Sequence, residues 1–216
     1  MFTITYSCAG IQHIGPVVLN KKTMGDNDKI RRYKVVETQW EPTEGLRAIE
    51  EVEYEEKTDK GKRTTTEQSR LWGFVDDNGE LVIEVKYHCV WKFRDGVSKV
   101  RLGNKWGAIN TSGQEVIPIK YQTLNFTSDG MVQIQFNGQW GCIRRDGTTV
   151  IEPKYDYIFP FKGSFAGIKK NNKYGFVNLD GEEIIKPCFD EIGIISPDGS
   201  VNVRKGDRWE SIILTD

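Results

Sequence analysis

The chain has 216 residues, 38% hydrophobic and 11% aromatic, enough to bury a core. Thirty basic residues against 31 acidic leave a net charge of −1, and the signs are balanced in residues 1–70 as in the whole. This distribution excludes the clustered basic field that a nucleic-acid or anionic-membrane partner requires.

Residues 1–29 carry one strand signal, Pro16 to Leu19, among Gly10, Gly15 and Gly25, and read as an N-terminal arm. The segment MFTITYSCAG has neither a basic n-region nor a long apolar h-region, so it does not read as a signal peptide, although a chain trimmed of its secretory signal would read the same. No apolar run approaches the ~20 residues that span a bilayer.

After the polar loop KKTMGDNDK the text changes. RRYKVVETQW alternates like a strand, EPTEG is a turn, and IEEVEYEEK followed by RTTTEQSRLWGFV forms a long hairpin across TDKG. Glu51, Glu53 and Glu55 share one strand face, with Lys60, Lys62 and Arg63 at the tip. A solvated ribbon explains this composition through facing opposite charges, at ~0.2–1 kcal/mol per pair. The functional reading is an arm that grips a partner or a second copy.

From Trp72 one stretch recurs: WGFVDDNGELVIEVKY, WGAINTSGQEVIPIKY from Trp106, WGCIRRDGTTVIEPKY from Trp140 and YGFVNLDGEEIIKPCF from Tyr174, a 34-residue step each time. Gly73, Gly107, Gly141 and Gly175 follow the aromatic, while Gly79, Gly113, Gly147 and Gly181 close polar turns that need a positive φ. Each unit therefore contains a hairpin, Trp72 to Asp76 against Leu81 to Val85 in the first. GVSKVRLGNKWGAIN and its counterparts add an upstream strand, and short fourth strands are expected at Tyr121 to Phe126 and Tyr155 to Phe159. The unit is a β-meander.

The W-G, turn-glycine, V-I and K-Y spacing resembles the WG (KWG) repeat family of bacterial proteins, over roughly residues 72–210. Departures are Tyr174 for Trp, Cys188 and Phe189 for K-Y, and Glu210 where Gly would stand. The resemblance implies all-β repeats and supplies no catalytic residues. Upstream, Gly45 matches Gly96, Leu46 matches Val97 and Ile49 matches Val100, which reveals an earlier unit. The expectation is one all-β domain over 30–216 with five units, roughly 30–86, 87–120, 121–154, 155–188 and 189–216.

Both faces of these strands are apolar, so the meanders must be covered on both sides and stack face to face, with the W-G glycine leaving room for an aromatic of the adjacent sheet. A propeller-like ring is the preferred arrangement, an open β-spiral or solenoid the alternative. The last unit has its aromatic strand at Trp209 but no V-I-P strand after it. Pro16 to Asn20 is expected to pair beside Glu210 to Leu214 and complete it.

No P-loop, GxSxG, HExxH or GxGxxG occurs, and Cys8 five residues before His13 is a weak thiol-imidazole signal. His88 follows a K-Y pair where other units carry Gln122 and Asp156, so it reads as a loop variant. Cys8, Cys89, Cys142 and Cys188 share neither CxxC spacing nor a repeat position, which predicts four free thiols in the cytoplasm. No catalytic, cofactor-binding or metal-ligating residue is assigned. Glu84 and Glu152, beside Lys86 and Lys154, recur as structural carboxylates, and the repeated Trp residues read as core before they read as a carbohydrate ladder. The loops WKFRDG, LNFTSDG, FPFKGS and ISPDGS differ in every copy and are the better recognition surface. The candidates are Trp91, Arg94, Asp95, Phe126, Phe161 and Lys162, with Glu51, Glu53, Lys60, Lys62 and Arg63 of the hairpin. The expected function is a non-catalytic interaction module whose partner is another protein. Its rivals are an inhibitor or immunity-type protein acting by occlusion, and an enzyme with a pocket assembled from several repeats, such as an acid/base pair of carboxylates.

Overall fold

The computed structural model describes residues 14–17, 29–37, 43–59 and 62–215, with side chains placed for 43–52 and 69–215. The chain divides into two compact units, Met1–Glu115 and Val116–Asp216.

In the first unit a five-stranded antiparallel sheet runs in chain order: β1 Ile14–Val17, β2 Lys29–Glu37, β3 Leu46–Asp59, β4 Lys62–Asp76 and β5 Leu81–Tyr87. The long hairpin is the pair β3–β4, closed where Asp59 meets Lys62. It is not a free ribbon. β2 lies along β3 from Lys29 opposite Glu55 to Lys34 opposite Glu50, so Glu51 and Glu53 sit in a strand paired on both sides. Basic positions of β2 face acidic positions of β3, the arrangement that favours this register.

The next sheet comprises β6 Cys89–Val90, β7 Val97–Leu102, β8 Lys105–Asn110 and β9 Glu115–Tyr121, and the boundary between the compact units falls at the start of β9. The alignment of the early unit with its successor is visible in the backbone. Thr43 bridges Leu46 across Glu44 (φ 60°) and Gly45 (φ 72°), as Arg94 bridges Val97 across Asp95 (φ 53°) and Gly96 (φ 77°). Two consecutive positive φ angles define the tight hairpin turn whose twist matches the flanking strands. The two sheets meet where Phe74 packs edge-on against Phe93, centroids 4.9 Å apart.

The second unit holds three meanders. The first is β10 Thr123–Phe126, β11 Met131–Phe136, β12 Gln139–Arg144 and β13 Thr149–Tyr155. The next is β14 Tyr157–Ile158, β15 Phe165–Lys170, β16 Lys173–Asn178 and β17 Glu183–Phe189. The last is β18 Glu191–Ile192, β19 Ser200–Lys205 and β20 Arg208–Ile213. They stack face to face. Met131, Cys142, Ile151 and Tyr155 pack on Ile158, Phe161, Ala166, Ile168 and Val177 of the following sheet. The opposite face of that sheet places Phe176 and Phe189 on Ile195, Val201, Val203 and Leu214. Each Val, Leu, Ile, Phe or Met side chain among them contributes ~1.5–3 kcal/mol of burial.

The W-G glycine has a different reason from the one the sequence suggests. Trp140 pairs with Tyr155 and Cys142 with Ile151, so residues 152–154 bulge opposite Gly141 alone. A β-carbon on Gly141 would lie 2.6 Å from the Ile151 carbonyl oxygen and 2.8 Å from the Pro153 nitrogen. Gly73 would meet the Ile83 oxygen at 2.5 Å, and Gly175 would meet the Ile185 oxygen. The glycine makes room for the backbone of its own partner strand, not for an aromatic of the next sheet. Pro153 and Pro187 belong to the bulging segments, where a strand tolerates the loss of an N–H.

Two further expectations are corrected. Ile14 and Val17 of β1 pair with Glu37 and Val35 of β2, so Pro16 and Val17 belong to the first sheet and not beside Glu210–Leu214; Val18 to Asn20 lie outside the described residues. A nearby partner costs less loop entropy than a distant one. The β18–β20 sheet has three strands among the described residues. The four thiols are not all free: Cys142 and Cys188 are, but Cys89 is disulfide-bonded. Cys8 and His13 lie outside the described residues.

Candidate functional site

The alternation of β7 places Lys99 and Arg101 on one face, and the register sets Arg101 opposite Trp106. Trp91 follows β6, its N–H donating to the Lys99 carbonyl at 2.9 Å. The Lys99 ammonium therefore lies between two indoles, 4.2 Å from the Trp106 ring and 5.4 Å from Trp91, with the Arg101 guanidinium 5.7 Å from Trp106. Burial lowers the Lys99 amine to about 8. The indole faces attract the charge but do not replace its lost water.

Trp91 remains 53% exposed. Exposed Arg94 and Asp95 stand on the same loop, in the tight turn that leads into β7. The Gly96 N–H donates to Glu44 Oε1 at 2.9 Å, tying this turn to its counterpart in the preceding sheet. These three candidates are brought together.

The other rim candidates are not equivalent. Phe161 is 6% exposed and belongs to the core against Met131 and Ile158, so its place as a contact residue is corrected; its loop is folded inward, with the Phe161 N–H donating to Asp129 Oδ2 at 3.1 Å. Phe126 is half-buried beneath the Arg145 guanidinium at 5.5 Å. Lys162 is exposed and bridges Phe165. In the hairpin Glu51 is half-buried; Glu53, Lys62 and Arg63 are placed by backbone register alone, and Lys60 lies outside the described residues.

The residue after each K-Y or C-F pair is structural. The Gly103 N–H donates to His88 Nδ1 at 3.1 Å, that of Gly138 to Gln122 at 3.0 Å, that of Asn171 to Asp156 at 2.7 Å and that of Gly206 to Asp190 at 2.8 Å. Each acceptor holds the next tight hairpin turn. Among the described residues no group of three or more His, Cys, Asp or Glu is placed to hold a metal ion.

The repeated aromatics divide. Trp72 is buried, Trp106, Trp140 and Tyr174 are half-buried, and Trp209 is 54% exposed. Around them Trp140, Tyr157, Phe159 and Tyr174 form a chain of ring contacts with centroids 5.4, 4.9 and 6.3 Å apart. Lys99, Tyr157, Phe159 and Trp209 are not among the sequence candidates. The alternating aromatics of YDYIF carry a signal for two of them. Lys99 carries a weaker one, a charge between Ser98 and Val100 in an otherwise core-forming strand.

These features define an all-β repeat protein of stacked antiparallel meanders. The family model of the WG containing repeat matches four consecutive segments, residues 72–106, 106–140, 140–174 and 174–209, and the chain belongs to that family. No curated protein matches it. Among solved structures, 87% of the chain is similar to 62% of the AfRom2 CNH domain, at 10% sequence identity and a TM-score of 0.27; the chain thus spans less than two-thirds of that relative.

Proposed function

We propose that this chain is a non-catalytic interaction module whose partner is another protein, engaged through the rim loop of Trp91, Arg94 and Asp95. The observation that carries this reading is the half-exposed indole of Trp91 on a loop whose backbone is fixed by the Lys99 pairing and by the turn at Asp95 and Gly96. Tryptophan and arginine dominate interface energetics, and a rigid loop loses little entropy when it binds. The near-zero net charge suits a protein surface better than a polyanion.

The test is retention of a partner from the native host by the immobilised chain, compared with Trp91→Ala and Arg94→Ala. Loss of about 2 kcal/mol at Trp91, roughly 30-fold in affinity, is expected while the melting temperature stays unchanged. Equal retention by parent and Trp91→Ala removes this loop from the interface.

A further inference from the structure

An arginine recurs at one register position in two sheets, with an acid beside it in one and none in the other. Arg204 stands opposite Trp209 on one side and Glu191 on the other, while Arg101 stands in the same way between Trp106 and Cys89. Each arginine donates from Nη1 to the carbonyl two residues on, Gly206 at 2.7 Å and Gly103 at 3.4 Å, so the two guanidinium groups are held alike. In the last sheet Arg204 Nη2 then reaches Glu191 Oε1 at 2.5 Å. Arg101 has no such acid across the strand, because the disulfide-bonded Cys89 occupies the position of Glu191.

The charge around Arg101 is one-sided. From Trp91 to Lys105 the chain carries five basic residues, Lys92, Arg94, Lys99, Arg101 and Lys105, against one acidic residue, Asp95, in a protein whose net charge is −1. Among the described residues neither Arg101 nor Lys99 forms an ion pair, whereas Arg144, Lys154, Lys173 and Arg204 of the later sheets each do. Burial alone lowers the Lys99 amine, so no carboxylate offsets the water its ammonium has lost. Strand alternation sets Lys99 and Arg101 on the face of Trp106, and the Lys99 ammonium lies 5.4 Å from the half-exposed indole of Trp91.

We propose that the partner segment engaged at the Trp91 loop is an acidic peptide, with a carboxylate seated on Arg101, as Glu191 is seated on Arg204, and an apolar neighbour on the open face of Trp91. This inference rests on the reading of that loop as the interface. A guanidinium takes a carboxylate through two parallel hydrogen bonds, and Lys99 adds its charge to the same place. Single-stranded nucleic acid is disfavoured. Trp106 is already covered by Lys99 and Arg101, which leaves Trp91 as the open indole here, whereas such proteins stack successive bases on several rings along an extended basic groove. All the groups invoked belong to the first compact unit.

Selection of a random dodecapeptide phage library on the immobilised full chain at pH 7 tests the proposal, with the affinities of the enriched peptides then read by fluorescence anisotropy. The enriched peptides should combine Asp or Glu with Phe, Leu or Trp and bind with dissociation constants of about 1–100 µM. Raising sodium chloride from about 50 to about 500 mM should weaken them about tenfold. Arg101→Gln and Lys99→Met should each weaken them about fivefold or more without lowering the melting temperature. Arg204→Gln should bind them like the parent, since Glu191 already holds that guanidinium. Labelled oligothymidylate should not bind. The proposal is overturned if no peptide is enriched, if the enriched peptides carry no excess of acid, or if Arg101→Gln and Lys99→Met both bind them like the parent. It is also overturned if Arg204→Gln weakens them as much as Arg101→Gln does, or if oligothymidylate binds more tightly than they do. In any of these cases the Trp91 loop still stands as the interface when Trp91→Ala releases the partner from the native host, and both readings fall when it does not.

Discussion

The phenol of Tyr155 donates a 2.5 Å hydrogen bond to Glu183 Oε1, joining the last strand of one sheet to the last strand of the next. The tyrosine of the K-Y pair thus acts at both ends, its ring filling the core between two meanders while its hydroxyl reaches a carboxylate of the following unit. Burial pushes the Tyr155 phenol up, and the bond to Tyr155, helped by Lys154 at 3.5 Å, holds the Glu183 carboxyl below its ordinary range.

Tyr155→Phe is therefore expected to destabilise by about 1–2 kcal/mol at pH 7, the worth of one hydrogen bond to a charged, partly exposed acceptor. The sign with pH follows from Glu183. Its native form gives up its proton at lower pH than its unfolded form, so its contribution is present above about 4.5 and is lost as pH falls through the native value. Urea unfolding between pH 3 and 7 should show a shallower acid limb for the variant. Parallel curves would mean that the bond contributes nothing.

The glycine of the W-G pair offers a sharper test. Gly141→Val is expected to cost about 1–3 kcal/mol or more, because the new β-carbon would lie 2.6 Å from a carbonyl oxygen of the facing strand and neither backbone has a flexible end that can yield. Gly193→Ala serves as the control, since its β-carbon meets only ordinary contacts and its φ is not positive. If both variants melt alike, the close approach at the bulge is not what selects glycine.

The period of the sequence makes the meanders legible, because each turn glycine and each apolar pair recurs at one register. It also exposes the early unit, since Gly45 and Gly96 do the same work at the same place. The bulge stays hidden. Nothing in WGCI or VIEPKY says that Trp140 will face Tyr155 and leave residues 152–154 opposite one glycine. The partner of β1 is illegible for a related reason: Val17 signals a strand but not which edge it joins, and β2 offers one nearby. Variability between copies singles out the loops, yet it separates exposed Trp91 from the core poorly. Phe161 occupies the register of buried Phe93, and that correspondence marks it as core instead of contact surface.

The cysteines yield a count. Titration of the unfolded chain under non-reducing conditions should detect Cys142 and Cys188, and reduction should raise the number because Cys89 then contributes. In the native state Cys142 should react slowly: it is buried, and burial first, with Asp129 adding its charge, pushes its thiol up to about 11. Four thiols before reduction would remove the disulfide.

Lys99 supplies the alkaline counterpart. Its amine falls to about 8 from 10.5, and the first cause is burial between Trp91 and Trp106. Between these values the folded chain has released a proton that the unfolded chain still holds. The unfolded state then binds more protons, so stability should rise with pH across that window. Below about 8 both states are charged, and the folded chain bears the full cost of holding an ammonium away from water. Lys99→Met keeps the length and apolar stem without the charge, so it should be more stable than the parent at pH 7 and lose that advantage as pH approaches 10. Other lysines and the tyrosines titrate in the same range, which makes the difference between the two proteins the informative quantity. A difference that stays flat from pH 7 to 10 would mean that Lys99 keeps its proton throughout, and that the two indoles stabilise the cation as well as water does.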